Sequence, residues 1–206
     1  YFLLNPLRKL VENPDKMFRP FVREGMTVLE PGCAMGFFTL PLARMVGPSG
    51  RVIALDIQEK MLSVLSRRAE KGGLIDRIEL RRIGPDGYGL DDLSGQADFA
   101  AAIHVVHEIP DKAMFFTEIW KALRPGGRLL LIEPRGHVSK GEFKKTQAIA
   151  EQAGFAKKDL PTKIGGRSVS LISVASSRRT SAVRVFAIYP FFSSWMRYSF
   201  TPSPLS

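Results

Sequence analysis

The chain of 206 residues is long enough for one domain with a single sizeable core, and its hydrophobic and charged fractions of 45% and 24% are typical of a globular protein. No apolar run approaches the roughly 20 residues that cross a bilayer, so no transmembrane segment is predicted. The single cysteine, Cys33, excludes a disulfide framework and a cysteine-based metal cluster.

No basic, apolar leader stands at the start of the sequence, so no secretory signal is predicted and a reducing, cytoplasmic setting is expected. The formal net charge is +10, which would attract nucleic acid or an anionic surface if it were concentrated. The basic residues are instead scattered, and no dense basic run is interleaved with aromatic residues. We therefore interpret the charge as a solvated basic surface, with nucleic-acid binding as the less favoured alternative.

Residues 1–25 contain three X-Pro pairs, which predict short helical pieces broken by prolines. Apolar runs typical of strands then alternate with segments of helical periodicity. Strands are predicted at 26–29, 51–57, 77–83, 97–103 and 128–134, helices at 37–47, 59–73, 111–123 and 140–154, and a hairpin around Gly165-Gly166 within 159–176.

Five strand-then-helix units followed by a hairpin predict an α/β fold. We expect a doubly wound, mostly parallel, seven-stranded sheet with helices on both faces and a C-terminal antiparallel hairpin. Three parts are predicted: an N-terminal helical segment at 1–25, the sheet domain at 26–176, and a tail at 177–206. The tail has four arginines, no acidic residue and an aromatic cluster. It is predicted to be a disordered or non-native extension, with a membrane-surface or partner-binding segment as the alternative.

The segment after the first strand has the spacing Glu30-x-Gly32-x-Ala34-x-Gly36 and leads into a helix. Such a turn gathers backbone N–H groups that favour an anion. The spacing does not match the G-x-G-x-x-G pattern of dinucleotide sites, and Glu30 would repel a pyrophosphate. S-adenosylmethionine fits better, because Glu30 would face its α-amino cation and the loop amides its carboxylate. Asp56, at the end of the second strand, would accept the ribose hydroxyls.

Four segments in order resemble the motifs of class I S-adenosylmethionine-dependent methyltransferases: VLEPGCAMG, RVIALDIQEKML, ADFAAAIHVVHEIPD and LRPGGRLLLIEP. The resemblance covers about residues 11–176 and is greatest to small enzymes of the ubiquinone/menaquinone-biosynthesis type. It implies the Rossmann-like methyltransferase fold, S-adenosyl-L-methionine as cofactor and a small-molecule acceptor. The cofactor-binding residues that it implies are Glu30, Gly32, Cys33, Ala34, Gly36, Asp56, Ile57, Gln58, Met61, Gly84 and Ile103.

Two of the adenine contacts have alternatives. Met61 would pack on the adenine face, although helical spacing is equally typical of a core methionine. The family often has an acidic residue after the third strand that contacts the adenine amine. Asp86 would serve only if its loop folds back.

The methyl acceptor should approach the end of the fourth strand. His104 and His107 are the candidate catalytic residues there, because an imidazole accepts a proton near neutral pH. The alternative is that His107 only packs at a helix start, with Glu108 in the same turn. No metal site is predicted, since these three residues share one short loop. Glu133, after the fifth strand, either lines the acceptor pocket or simply ends that strand.

Missing motifs exclude some subclasses. No Asn-Pro-Pro-Tyr or Asp-Pro-Pro-Tyr follows the fourth strand, which argues against amino-methylating DNA enzymes, and no cysteine lies near strands four and five, which argues against C5-cytosine chemistry. The leading hypothesis is a small-molecule methyltransferase. An RNA- or protein-directed methyltransferase, an NAD-dependent oxidoreductase and a non-catalytic cofactor-binding module are the alternatives. The oligomeric state is left open by the sequence.

Overall fold

The computed structural model describes residues 12–84, 87–160 and 165–174. Contacts divide the chain into Tyr1–Ser176 and Ser177–Ser206, and every described residue belongs to the first unit. The helices are α1 Pro14–Phe18, α2 Thr39–Met45, α3 Glu59–Lys71, α4 Lys112–Ala122 and α5 Lys140–Gln152. The strands are β1 Thr27–Pro31, β2 Arg51–Asp56, β3 Ile78–Arg82, β4 Ala97–Ile103, β5 Leu123–Glu133, β6 Phe155–Lys158 and β7 Arg167–Ser173.

The seven strands form one sheet in the order β3-β2-β1-β4-β5-β7-β6. The first five strands run parallel, while β7 is antiparallel to both β5 and β6. The predicted fold class is therefore confirmed, including the seven strands and the reversed C-terminal pair. Chain direction in the parallel part brings the carboxyl ends of β1, β2, β4 and β5 to one edge of the sheet.

Helices cover both faces of the sheet because adjacent strand residues point in opposite directions. Val28 of β1 belongs to the core cluster that includes residues of α1, α2 and α3. Its neighbour Leu29 belongs to the cluster that includes residues of α4 and α5. Helix α1 packs on the same face as Val28 through Phe18, whose ring lies edge-on against Phe38 and Phe99.

The sequence GPDGYGLDDLSGQ between β3 and β4 is loop-like, and its described residues contain only a 3₁₀ turn at Asp91–Leu93. Among the described residues a helix follows four of the five parallel strands, so the predicted count of five strand-then-helix units is wrong. The segment GPDGYG is rich in glycine and proline, which oppose a helix. Buried Tyr88, Leu90 and Leu93 fill the sheet face there.

The last two strands also depart from the prediction in position. The hairpin was expected within 159–176, but β6 begins at Phe155, immediately after the break at Gly154. Phe155 is buried against Phe116, and β6 pairs with β7 over four residues. Long-range pairing therefore determines where the strand lies. The fifth strand likewise starts earlier than expected, at Leu123.

No helix among the described residues is long and apolar enough to cross a membrane. The predicted tail at 177–206 and the candidate Asp86 both lie outside the described residues. The prediction made for the tail and the three-part division of the chain remain predictions.

Candidate active site

The carboxyl edge of the parallel strands brings together four of the predicted polar residues. Glu30 lies in β1, Asp56 ends β2, His104 follows β4 and Glu133 ends β5. All three carboxylates are buried, with Glu30 exposed by only 2% and Glu133 by only 1%. Buried carboxylates need partners, so the contacts of each one indicate what it does.

Asp56 links β2 to the glycine loop, which is residues 32–36 after β1. Its Oδ2 accepts a hydrogen bond from the amide of Ala34 at 2.9 Å, and its Oδ1 accepts one from the amide of Gln58 at 2.9 Å. A carboxylate has about four lone-pair sites, so two remain for other donors. Asp56 therefore fixes the loop and still has the capacity predicted for the ribose hydroxyls.

Most amides of the loop are engaged within the protein. The amides of Gly32 and Cys33 both donate to the carbonyl of Leu55, at 2.8 and 3.0 Å, and the amide of Gly36 donates to the carbonyl of Cys33 at 2.9 Å. The amide of Ala34 donates to Asp56. The expectation that the loop amides receive the carboxylate of the cofactor is therefore not supported at these four residues.

The backbone of the loop adopts conformations that require small residues. Gly32 has a φ of +72°, and a Cβ there would lie 2.6 Å from Cγ2 of Val105. Ala34 has a φ of 46°, a left-handed conformation that is strained for a residue with a Cβ. Gly32 is thus explained by backbone geometry and by packing against the loop after β4, whereas Ala34 carries a strained backbone conformation.

Helix α3 supports the same loop from the side. The side chain of Leu65 occupies the space that a Cβ at Gly36 would need, and Gly36 has a φ of +80°. One turn further along α3, Nη1 of Arg68 donates to the carbonyl of Met35. Two side chains on one face of α3 therefore hold the second half of the loop.

Glu30 is the carboxylate whose environment is incomplete. Within the described part of the chain, its Oε2 is buried and has no hydrogen-bond partner. Burial raises the pKa of Glu30 to about 8; the Thr39 hydroxyl opposes this rise without reaching hydrogen-bond geometry, and the negative charge of Asp56 adds to it. A ligand cation at this position would supply the missing partner and favour the ionised form. The residues present therefore fit the ammonium group of an amino-acid-like cofactor.

The residues predicted to contact the adenine include one exposed apolar side chain. Ile57 is 65% exposed, Gln58 beside it is exposed, and Met61 is half-buried. Gly84 is exposed and forms a backbone bridge with Gly87. An exposed isoleucine directly after Asp56 is a suitable surface for a flat, apolar ring.

Two of the predicted cofactor residues lie in the core. Ile103 is buried in the cluster that also contains Phe38. Cys33 is buried in the same cluster, and burial, together with the nearby carboxylates of Glu30 and Asp56, raises the pKa of its thiol. Cys33 therefore behaves as a small apolar residue and not as a nucleophile.

The acceptor end of the site contains a close histidine–carboxylate contact. Nδ1 of His107 lies 2.5 Å from Oε2 of Glu133, and the backbone amide of His107 donates to Oε1 of Glu133 at 3.1 Å. Burial raises the pKa of Glu133, and hydrogen bonds from His107 oppose that rise. The sequence placed Glu133 at the end of the fifth strand and His107 in the loop after the fourth strand, but did not predict that they form a pair.

His104 is held differently. Its backbone has a φ of 58°, its amide donates to the carbonyl of Ile132 at 2.7 Å, and its Nε2 lies 3.3 Å from Oε1 of Glu12. Glu12 was not predicted, because no motif marks it. Within the described residues, no group of three or more histidine, cysteine, aspartate or glutamate residues is arranged to hold a metal ion.

A family model described as a methyltransferase domain matches residues 22–167. The ubiquinone/menaquinone biosynthesis C-methyltransferase UbiE of Hahella chejuensis is 34% identical over 112 residues, which are 54% of this chain and 44% of that protein. The demethylmenaquinone methyltransferase of Lactobacillus johnsonii is 30% identical over 112 residues, which are 54% of this chain and 45% of that protein. The crystal structure of a SAM-dependent methyltransferase from Aquifex aeolicus has a TM-score of 0.71 at 26% identity, covering 84% of this chain and 94% of that one.

The fold and the polar edge of its sheet define a class I S-adenosylmethionine-dependent methyltransferase domain. The chain belongs to the methyltransferase domain family, whose model covers well over half of it. S-adenosyl-L-methionine is the cofactor of this class, and the NAD-dependent alternative is set aside. The chain spans less than half the length of the two curated relatives named above.

Proposed function

We propose that this protein transfers the methyl group of S-adenosylmethionine to a small-molecule acceptor. The observation that carries the proposal is the buried Oε2 of Glu30, which has no partner within the described residues and lies at the carboxyl edge of the sheet. An isolated buried carboxylate is costly unless a cation completes its surroundings. The ammonium group of the cofactor is the cation that this position fits.

The other cofactor residues follow from their contacts. Asp56 offers its two remaining lone pairs to the ribose hydroxyls while its amide contacts keep the loop in place. Ile57 and Met61 provide the apolar surface for the adenine, with Gln58 beside it. The remaining residues proposed for the cofactor site are Gly32, Cys33, Ala34, Gly36, Gly84 and Ile103, of which Cys33 and Ile103 are buried in the core.

Bound cofactor supplies an electrophilic methyl group on a sulfonium, and an in-line displacement of this kind needs mainly correct positioning of the acceptor. The loop after β4 is the proposed acceptor site, with His104 and His107 as its candidate proton acceptors. A small acceptor is supported by the relatives whose names describe quinone-biosynthesis methyltransferases. We propose the same chemical class, a small ring compound, for this chain.

The test is calorimetric titration with S-adenosylhomocysteine, with NADH as the control ligand. We expect saturable binding of the first ligand alone. Glu30→Gln should weaken that binding, whereas Glu24→Gln, a change at an exposed position before β1, should not. Absence of binding to the intact protein would contradict the proposal at the cofactor step.

The acceptor class is tested separately by transfer of a labelled methyl group. A reduced quinone and a mixed RNA preparation serve as the two acceptors. We expect label in the quinone fraction only. Label in RNA, with binding that weakens as salt rises, would instead support the RNA-directed alternative that the net charge of +10 suggested.

A further inference from the structure

His107 and Glu133 share a proton, and the atom that carries it determines whether Nε2 of the imidazole can accept another proton. Nδ1 and Oε2 lie 2.5 Å apart, a distance at which one of the two atoms must donate. If Nδ1 carries the proton, Nε2 is an acceptor. If Glu133 carries the proton instead, Nε2 is protonated in the neutral ring and cannot accept.

The surroundings of Glu133 favour the first arrangement. Its other oxygen, Oε1, accepts the backbone amide of His107 at 3.1 Å. A backbone amide can only donate, and a carboxyl group that receives such a hydrogen bond is favoured in its ionised form, which opposes the rise in the pKa of Glu133 caused by burial. The ionised carboxylate then takes the Nδ1 proton as a donor and fixes the orientation of the ring, as carboxylates do for histidines in other sites.

We propose that Glu133 is a positioning residue that holds His107 with Nε2 as the proton acceptor for an acidic hydroxyl on the methyl acceptor. The inference rests on the proposed function and narrows its substrate class to phenols or enols. As the oxygen or its conjugated carbon forms a bond to the methyl carbon, the methyl–sulfur bond breaks, its electron pair stays on sulfur, and the hydroxyl proton goes to Nε2 of His107. No oxidant, reductant or metal is needed for this balance.

His104 is the weaker candidate for the same task. Its Nε2 already lies 3.3 Å from Oε1 of Glu12, on the segment that precedes α1. Its backbone is also held, through the amide bond to Ile132 and a φ of 58°. The geometry therefore assigns proton acceptance to His107 and a tethering contact to His104.

Two further titratable groups face His107. Nε2 lies 3.8 Å from Oε1 of Glu108, which is beyond hydrogen-bond distance, and the side chain of Glu108 is 74% exposed. The ring of His137 lies 6.1 Å away, edge to face. Glu108 is a suitable control, because it is a carboxylate beside the same ring that the proposal does not use.

The test is an NMR measurement of which ring nitrogen carries the proton, made on the intact protein at about pH 8, above the ordinary histidine pKa of about 6.5. The chain has only three histidines, so the resonances are assigned with His104→Gln and His137→Gln. We expect His107 to carry its proton on Nδ1. A proton on Nε2 in the wild-type protein overturns the proposal, and this result needs no variant that might fold poorly.

The Glu133→Gln and Glu108→Gln variants then separate positioning from general disturbance. In Glu133→Gln, the amide of His107 retains the oxygen and the side-chain NH₂ faces Nδ1, so the proton should move to Nε2. Glu108→Gln should leave the tautomer unchanged. An unchanged tautomer in Glu133→Gln, or an equal change in both variants, contradicts the role of Glu133.

The substrate class is tested with hydroquinone and benzylamine as probes in the presence of S-adenosylhomocysteine. We expect hydroquinone to shift the Nε2 resonance of His107 and benzylamine to leave it in place. With hydroquinone as methyl acceptor, Glu133→Gln should lower kcat by about 100-fold or more, the scale of lost general-base catalysis, with little change in KM. A shift caused by benzylamine alone, or no shift with either probe, contradicts the assignment. Failure of the proposed function is distinct, because it appears as absence of S-adenosylhomocysteine binding.

Discussion

Replacing Asp56 with asparagine tests whether one carboxylate both holds the loop and binds the ribose. Asparagine keeps the shape of the side chain but has one acceptor oxygen in place of two. Its NH₂ group would face either the amide of Ala34 or the amide of Gln58, both of which now donate to Asp56 at 2.9 Å. One hydrogen bond is lost and a buried donor is left unpaired, which costs about 1–3 kcal/mol of unfolding free energy.

The same change should weaken cofactor binding. The ribose hydroxyls would lose charge-assisted hydrogen bonds, and a loss of about 1–3 kcal/mol corresponds to about a 5- to 150-fold rise in the Kd for S-adenosylhomocysteine. Calorimetric titration measures the Kd, and urea unfolding measures the stability. Both values are needed, because loosening of the loop alone would lower the stability.

Asp98→Asn is the matched control. Asp98 lies at the start of β4, and its Oδ2 accepts the amide of Thr27 at 2.8 Å while its Oδ1 pairs with Arg124 at 2.8 Å. The variant should lose stability by a similar amount and bind the ligand with unchanged affinity. If Asp56→Asn binds S-adenosylhomocysteine as tightly as Asp98→Asn does, Asp56 does not bind the ribose.

Two further predictions concern Glu30, in the strand before the same loop, and Gly36, in the second half of that loop. Because the pKa of Glu30 is about 8 in the folded protein and near 4.5 in the unfolded chain, the folded state holds the proton more tightly and stability should fall as pH rises between these values. In Glu30→Gln, the free energy of unfolding measured with urea should no longer fall between about pH 5 and about pH 9. The same pH dependence in the variant and in the wild-type protein would contradict this prediction. Gly36→Ala should cost about 1–3 kcal/mol more than Gly73→Ala, since both have positive φ but only Gly36 is crowded, by Leu65. Equal costs in urea unfolding would show that backbone strain alone matters.

The central strands could be predicted from sequence because they are short apolar runs between turn residues. The predicted strand 97–103 coincides with β4, and the predicted strand 51–57 differs from β2 by one residue. Placing Glu30 and Asp56 at strand ends then brought them to one edge of the sheet, since parallel strands share a direction. Local pattern and chain direction were sufficient for the position of these two carboxylates.

The sequence did not predict features that depend on distant pairing. Phe155 begins β6 because β7 lies beside it in the sheet, and the four residues 155–158 after the break at Gly154 are too few to give a strand pattern of their own. The contact between His107 and Glu133 joins residues 26 positions apart. Glu133 was predicted to lie at a strand end and His107 in the loop after the fourth strand, but which side chains meet there depends on the packing of the loop after β4.

The three buried carboxylates of the site differ in their hydrogen-bond partners, and this difference indicates which one needs a partner from a ligand. Asp56 receives two backbone amides, and Glu133 receives the ring and the amide of His107. Glu30 has an oxygen without a partner among the described residues, and the charge of Asp56 raises its pKa further. A cationic ligand should therefore bind with release of a proton from Glu30 near neutral pH. Binding stabilises the folded state in proportion to the logarithm of ligand concentration over Kd, so in Glu30→Gln the proton release should disappear and the ligand-induced stabilisation should decrease.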